Sequence, residues 1–424
     1  MPSLSSYLSG AVSICDLIRR GDCSIVFFGD SITTNGTSNR HGLGVRRLWR
    51  PDRWAGAGAT VNNDGGEFLA YGYLGMPAYA GANLPAGTTD PTGVTAWSCY
   101  SASSSVGDIV TFSNAVVGAD TFAYTNRIGT VAFDYMRGPY NATGLPWPNT
   151  TDVIEGKFLC VRHAAGLGSY RLRAIAGTSL ATGSEVTGLS SVNASQDFIV
   201  HSTSFGPADY TGVNMGLSVC PTVGYSVTTS MKQVNLMASM SNGRGLRAAY
   251  VATGGSSVGT HWSNAAYIST AALTGIRQVN QYNNCPMIAY VSLGTNDAGG
   301  GASAFGTAMN SFATRLYTAG FTHVVFAGPY QASNGTWRAD QFYDQLALLA
   351  NSFPNAMSMN RWLLMGGMAG NSGAFSMLNT SYLTDGTHTN TAGANYMCAQ
   401  EWMIIEAGSE ARRPRYFRRG LARN

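Results

Sequence analysis

Lysine is nearly missing from this 424-residue chain: Lys157 and Lys232 are the only two, and charged residues of every kind make up 11% of the sequence. So little charge beside 45% apolar residues excludes a disordered polyelectrolyte and leaves a turn-rich globular chain with a polar, weakly charged surface. The net positive balance is local. Arg412, Arg413, Arg415, Arg418, Arg419 and Arg423 crowd the C-terminal end, and without residues 409–424 the chain carries 20 basic and 21 acidic residues. A nucleic-acid face needs basic residues spread over a folded surface. The other concentration, Arg40, Arg46, Arg47, Arg50 and Arg53, reads as a solvated or substrate-facing loop, so no nucleic-acid partner is expected.

Paired cysteines are missing as well. Cys15, Cys23, Cys99, Cys160, Cys220, Cys285 and Cys398 are odd in number and form no CxxC, which argues against zinc and against a disulfide framework. Most are expected to be small buried hydrophobes. Asp64 in "VNNDGGE" lacks the full spacing of a calcium loop. Neither a metal nor another cofactor is expected. No apolar run approaches the ~18 residues of a membrane span. The opening "MPSLSSYLSGAVSICDLIRRGD" also lacks the basic-then-apolar order of an export signal. The compartment stays open, an extracellular or phage-particle location included, and so does the oligomeric state.

The length predicts two or three domains. Around Cys23–Phe28, and again from Leu246 onward, short apolar runs alternate with helical spacing. Phe305, Met309, Phe312 and Leu316 form one apolar stripe with Gly320 placed to end the helix. "PMIAYVSL" and "HVVFAG" read as buried strands, and a second stripe holds Phe342, Leu346 and Leu349. Strands alternating with helices predict parallel βαβ units with both sheet faces covered. Residues 93–245 instead show short alternating strands between Gly, Asn and Asp turns. They are expected to form an inserted β-rich, sandwich-like domain. The alternative is a set of strands extending the main sheet. The division is then 1–92 and 246–408 for the α/β body, 93–245 for the insertion and 409–424 for an Arg-rich tail that is flexible or partner-bound.

Four strand or loop ends carry chemistry. "FFGDS" drives a strand out of the core onto Ser31, at the sheet edge where helix N-termini offer unpaired N–H groups. A serine needs a base, and the base an orienting carboxylate. "LTDGTH" supplies both: the Asp-Gly turn lets Asp385 fold back on His388 and leaves the far imidazole nitrogen for the serine. "YVSLGTND" ends a strand at Asn296, whose amide could donate to a developing oxyanion, or which simply closes an Asn-Asp turn. "YVATGGSSVG" ends another at Gly254 and Gly255, where a bare N–H could reach the same point.

These motifs, in this order, resemble those of the SGNH hydrolases, the GDSL esterase/lipase family, over about residues 20–90 and 246–407; "HTNTAGANYM" after His388 is similar as well. The resemblance implies a three-layer, flavodoxin-like α/β fold with a parallel central sheet. It implies Ser31 as nucleophile, His388 as general base and Asp385 as its partner. The oxyanion would be received by the Ser31 N–H, the Gly255 N–H (or that of Gly254) and the Asn296 side chain. Ile32 stands where the family name has Leu, and more than 200 residues separate Ser31 from the glycine block, so substrate expectations transfer poorly.

A rival nucleophile is Ser257, centred in "GSSVG" like a G-x-S-x-G elbow, with Asp340 or Asp344 and His388 as partners. That reading leaves GDS and GTND without roles. His261 and Trp262 are candidates for lining the substrate pocket, and Trp97, Trp147 and Trp337 for stacking on sugars or for burial in a core. The expected reaction is hydrolysis of an acyl ester on a small molecule or polysaccharide, with O-acetylated carbohydrate favoured. A general lipase or thioesterase, or a carbohydrate-binding or structural virion or adhesin protein on a hydrolase scaffold, are the alternatives.

Overall fold

The computed structural model describes residues 13–34 (less 19, 21 and 22), 247–330 (less 253, 254, 266, 298 and 299), 339–364 and 382–411, together with the strands of residues 69–241. Numbered in chain order, nine strands form one sheet: β16 (Ala356–Met359), β15 (His323–Ala327), β14 (Met287–Ser292), β1 (Ser24–Gly29), β13 (Arg247–Ala252), β2 (Leu69–Gly72), β12 (Asn235–Ser241), β6 (Ile154–Arg162) and β9 (Asp197–Phe205). The first six pair in parallel. This is the α/β architecture with a parallel central sheet that the strand–helix alternation predicts.

Both faces of the parallel sheet are covered, which is why β1 and β14 are buried along their whole length and read as near-continuous apolar runs rather than alternating. Val26 and Phe28 of β1 point into one core with the helices Thr270–Asn280, Gly301–Thr318 and Tyr343–Ser352. Ile25 and Phe27 point into a second core with Ile14 and Ile18 of a helical stretch at 13–18, and with Met397, Trp402 and Ile405 of the helix Thr391–Ala411. The stripe Phe305, Met309, Phe312 and Leu316 is buried as its spacing predicts, and Gly320 closes that helix at φ 96°.

The β-rich segment departs from a self-contained sandwich. β12, β6 and β9 continue the central sheet antiparallel from β2. Leu159 of β6 is buried in the main core against Gly275, where an added Cβ would meet Leu159 Cδ1 at 2.3 Å. The physical reason is the open edge of β2: its unpaired N–H and C=O groups are satisfied by further strands. β5 (Phe122–Arg127), β10 (Asn214–Pro221), β7 (Ser169–Ala176) and β8 (Glu185–Ser190) form a separate antiparallel sheet. β11 (Met231–Gln233), β4 (Val110–Phe112) and β3 (Trp97–Ser98) form a third sheet.

At the opposite end of the sheet from Gly29, His323 opens β15 in a buried position. Its Nε2 lies 2.7 Å from Ser13 Oγ and its Nδ1 2.9 Å from Thr322 Oγ1. Burial lowers its pKa from 6.5 to about 4. A depressed histidine contributes stability present above the unfolded pKa and lost as pH falls through the folded one. His323→Gln should therefore flatten the decline in stability between pH 6.5 and about 4, by roughly 3 kcal/mol at most. Chemical denaturation of wild type and variant at pH 7.5 and 4 measures this. Parallel curves would refute it.

Candidate active site

Register brings the motifs together. Gly29, the last residue of β1, is level with Ala252 of β13 and Ser292 of β14. Ser31, Gly255 and Asn296 therefore leave three adjacent strands at one edge, and β1 sits where the connection from β13 to β14 crosses over it. Such a crevice beyond the strand C-termini is where open α/β sheets hold their ligands. Gly29 is required by packing: a Cβ there would meet Thr33 Oγ1 at 2.0 Å. Asp30 follows, fully buried, with Oδ1 accepting the Ile32 N–H at 3.0 Å, which opens the helical turn Ser31–Thr34. Burial pushes the Asp30 pKa up to about 6, against the opposing pull of the Ile32 N–H and the Arg361 charge.

The base comes from the far end of the chain. Residues 382–390 form a tight loop, closed by Asn390 N–H donating to Tyr382 O (2.8 Å) and Thr384 N–H to His388 O (2.7 Å). Asp385 Oδ1 accepts the backbone N–H of Thr387 (3.0 Å) and of His388 (2.8 Å), with Gly386, at φ 83°, turning the chain between Asp385 and Thr387. Asp385 Oδ2 lies 2.7 Å from His388 Nδ1, and His388 Nε2 lies 2.9 Å from Ser31 Oγ. A carboxylate only accepts, so Nδ1 carries the proton and Nε2 of the neutral ring accepts the Ser31 hydroxyl. The His388 backbone and side-chain N–H bonds hold the Asp385 pKa down at about 2. Tyr330, buried, donates to Thr387 O at 2.5 Å and pins the loop from below.

Asn296 is exposed and donates one amide hydrogen to Ser256 O at 3.0 Å; the amide has a second. Gly255 is exposed at φ 74°, and an added Cβ there would meet nothing within 4 Å, so backbone conformation is what calls for glycine. Gly254 lies outside the described residues, as do Asp64, Trp147, Trp337, the Arg40–Arg53 cluster and the Arg-rich end.

One expectation is corrected. Trp262 is wholly buried: its ring packs edge-on to Phe28, and its Nε1–H donates to Ser256 Oγ at 2.8 Å, so its large apolar surface serves the core. His261 is half-buried, with Nδ1 accepting the Ser257 N–H at 3.1 Å and lying 3.3 Å from Ser257 Oγ, its ring against Tyr267, and the Asp297 carboxylate of the neighbouring loop close enough to act on its charge. Ser257 is absorbed locally, its Oγ capping Thr260 N–H at 3.2 Å. His388 lies between Ser31 and Asp385, so the base that the Ser257 reading assigns is not at Ser257, and the His261 Nδ1 beside that hydroxyl already accepts the Ser257 N–H. Asp344 is exposed in the first turn of its own helix.

Sequence reading missed the support beneath the site. Arg361, just past β16, donates through Nε to Glu401 Oε1 and through Nη1 to Ser292 Oγ (2.5 Å); Tyr290 donates to Glu401 Oε2 at 2.7 Å. Arg361 and Glu401 are both buried, and they hold the helix that follows His388 against the end of β14. Among the described residues, no cluster of His, Cys, Asp and Glu could hold a metal ion, and no helix is long and apolar enough to cross a membrane.

No protein-family model and no curated protein matches the sequence. Among solved structures, the chain is similar to one described as a peptidoglycan O-acetylesterase, at 10% identity over 97% of this chain and 98% of that one, with a TM-score of 0.48. It is also similar to a member of the lipolytic protein G-D-S-L family from Veillonella parvula, at 14% identity, 38% and 81% coverage and a TM-score of 0.29. A third is an acetyl xylan esterase from Butyrivibrio proteoclasticus, at 10% identity, 69% and 96% coverage and a TM-score of 0.26.

Proposed function

We propose that the chain is an SGNH-type carboxylic ester hydrolase acting through an acyl-serine, most readily on O-acetyl groups of a carbohydrate or polysaccharide. The observation that carries this reading is the unbroken path from Asp385 through His388 to Ser31, with separations of 2.7 and 2.9 Å. In the first half-reaction Ser31 Oγ attacks the ester carbonyl carbon as its proton passes to His388 Nε2. The carbonyl oxygen becomes an oxyanion, received by the N–H groups of Ser31 and Gly255 and by Asn296. Collapse breaks the bond to the alcohol oxygen, which takes the proton from Nε2. Water then repeats the sequence against the acyl-serine, releasing the carboxylic acid. No step calls for a metal or cofactor.

The acyl preference follows from exposure. His388 and Asp385 keep 28% and 55% of their side-chain surface, and Asn296 is exposed, so the reacting groups stand at an open rim. A long acyl chain needs an apolar cleft to cover it, whereas an acetyl group on a bulky polar substrate needs only access. The body 1–92 and 246–408 would carry the chemistry and the β-rich 93–245 would flank it.

Asn296→Ala should lower kcat for a chromogenic acetyl ester by ~100-fold, as loss of an oxyanion donor does; unchanged turnover where chemistry limits the rate would remove that role. Acetate release from O-acetylated oligosaccharide, set against hydrolysis of acetyl and long-chain chromogenic esters, tests the substrate class. Faster turnover of the long chains would favour a lipase or thioesterase, and no turnover of any ester would favour a binding or structural protein.

A further inference from the structure

Asp297 follows the proposed oxyanion donor directly, and the chemistry above gives it no task. Its carboxylate, 9% exposed, accepts the Val258 N–H at Oδ2 and the Gly259 N–H at Oδ1, each at 3.0 Å. Asn296 donates in the other direction, to Ser256 O at 3.0 Å. These three bonds join the loop after β13, which carries Gly255, to the loop after β14, which carries Asn296. Asp297 is fixed in its own turn as well: its N–H donates to Gly294 O (3.1 Å) and its carbonyl accepts the Gly300 N–H (3.0 Å). Gly294 adopts φ 123°, where a Cβ would also press on Pro329 at 2.8 Å. Burial raises the Asp297 pKa, and the two backbone N–H groups and the nearby His261 oppose that rise. A negative charge beside a developing oxyanion works against it, so any benefit from this carboxylate is geometric.

We propose that Asp297 is the positioning residue of the oxyanion cradle. It holds the two loops at one separation, so that the Gly255 N–H and the free Asn296 amide hydrogen converge on a single oxygen. This rests on the hydrolase reading of the site. A carboxylate is suited to the task because its two oxygens accept from successive N–H groups, which neither an amide nor a hydroxyl can match. The mechanism costs rate and leaves binding alone: a displacement of about 1 Å at the reacting atoms suffices for a ~100-fold loss.

The test compares wild type, Asp297→Ala, Asp297→Asn, Asn296→Ala and the Asn296→Ala/Asp297→Ala double variant on a chromogenic acetyl ester. Asp297→Ala should lose ~100-fold in kcat with KM within about twofold. Asp297→Asn, keeping one acceptor oxygen, should lose less. The double variant should fall within about threefold of Asn296→Ala alone, where independent effects would multiply to ~10⁴-fold. Amide exchange at Val258 and Gly259 should quicken in Asp297→Ala without wider loss of protection. Should Asp297→Ala fail to fold, Asp297→Asn carries the kcat and KM comparison. Wild-type kcat in either folded variant, or a multiplicative double variant, would overturn the inference. A wild type with no Ser31-dependent turnover would instead remove the hydrolase reading, and the inference with it.

Discussion

Ser31→Ala should lower kcat on a short-chain ester by roughly 10⁶-fold, on the scale seen when a serine nucleophile is removed from a working triad. The size follows from the division of labour at the site. Without Oγ no acyl-serine forms, and what remains is the donors' hold on a carbonyl that bulk water must attack. Ser257→Ala is the matched control. Its hydroxyl caps Thr260, its neighbour His261 has already accepted the Ser257 N–H, and turnover should stay within about twofold of wild type. Equal loss in both variants, or loss only at Ser257, would reverse the assignment of the nucleophile.

Asp385→Asn should cost between roughly 10³ and 10⁴ in kcat with little change in KM. An asparagine oxygen can still accept the Thr387 and His388 backbone N–H groups, so the loop is kept and the charge alone is removed. His388 then loses the acceptor that fixes its proton on Nδ1 and steadies the imidazolium during attack. With 55% of the Asp385 side chain exposed, water partly replaces that acceptor, which sets the lower end of the range. The pH dependence follows as well. A carboxylate whose folded pKa is depressed from 3.8 to about 2 contributes stability present above the unfolded pKa and lost only as pH falls through about 2. Asp385 thus stays ionised across any practical assay range, and an acid limb between pH 4 and 9 belongs to another group. Wild-type kcat in Asp385→Asn at pH 7 would contradict its orienting role.

The parts of this molecule governed by local pattern could be read before any coordinates. The apolar run Ile25–Phe28, the stripe through Phe305 and Leu316, and the turn that folds Asp385 onto His388 each depend on spacing within a few residues. What escaped was set by distant partners. Arg361 and Glu401 lie forty residues apart and look like ordinary surface charges until the final helix docks. Trp262 follows a histidine in a glycine-rich loop, as a pocket residue would, and its burial is decided by Phe28 and Phe312. The alternation in strands β12, β6 and β9 suits a sandwich and an extension of the main sheet alike, and the choice between those two readings depends on the open edge of β2, far away in the chain. Asp297 was in plain view beside Asn296, but its task appears only once the two loops lie side by side.

A serine-directed phosphonate offered to the intact protein, followed by mapping of the modified peptide, tests the central claim most directly. The account predicts a single adduct on Ser31, absent from Ser31→Ala and formed far more slowly in His388→Ala. A folded protein that takes no label, or takes it on Ser257, would contradict it.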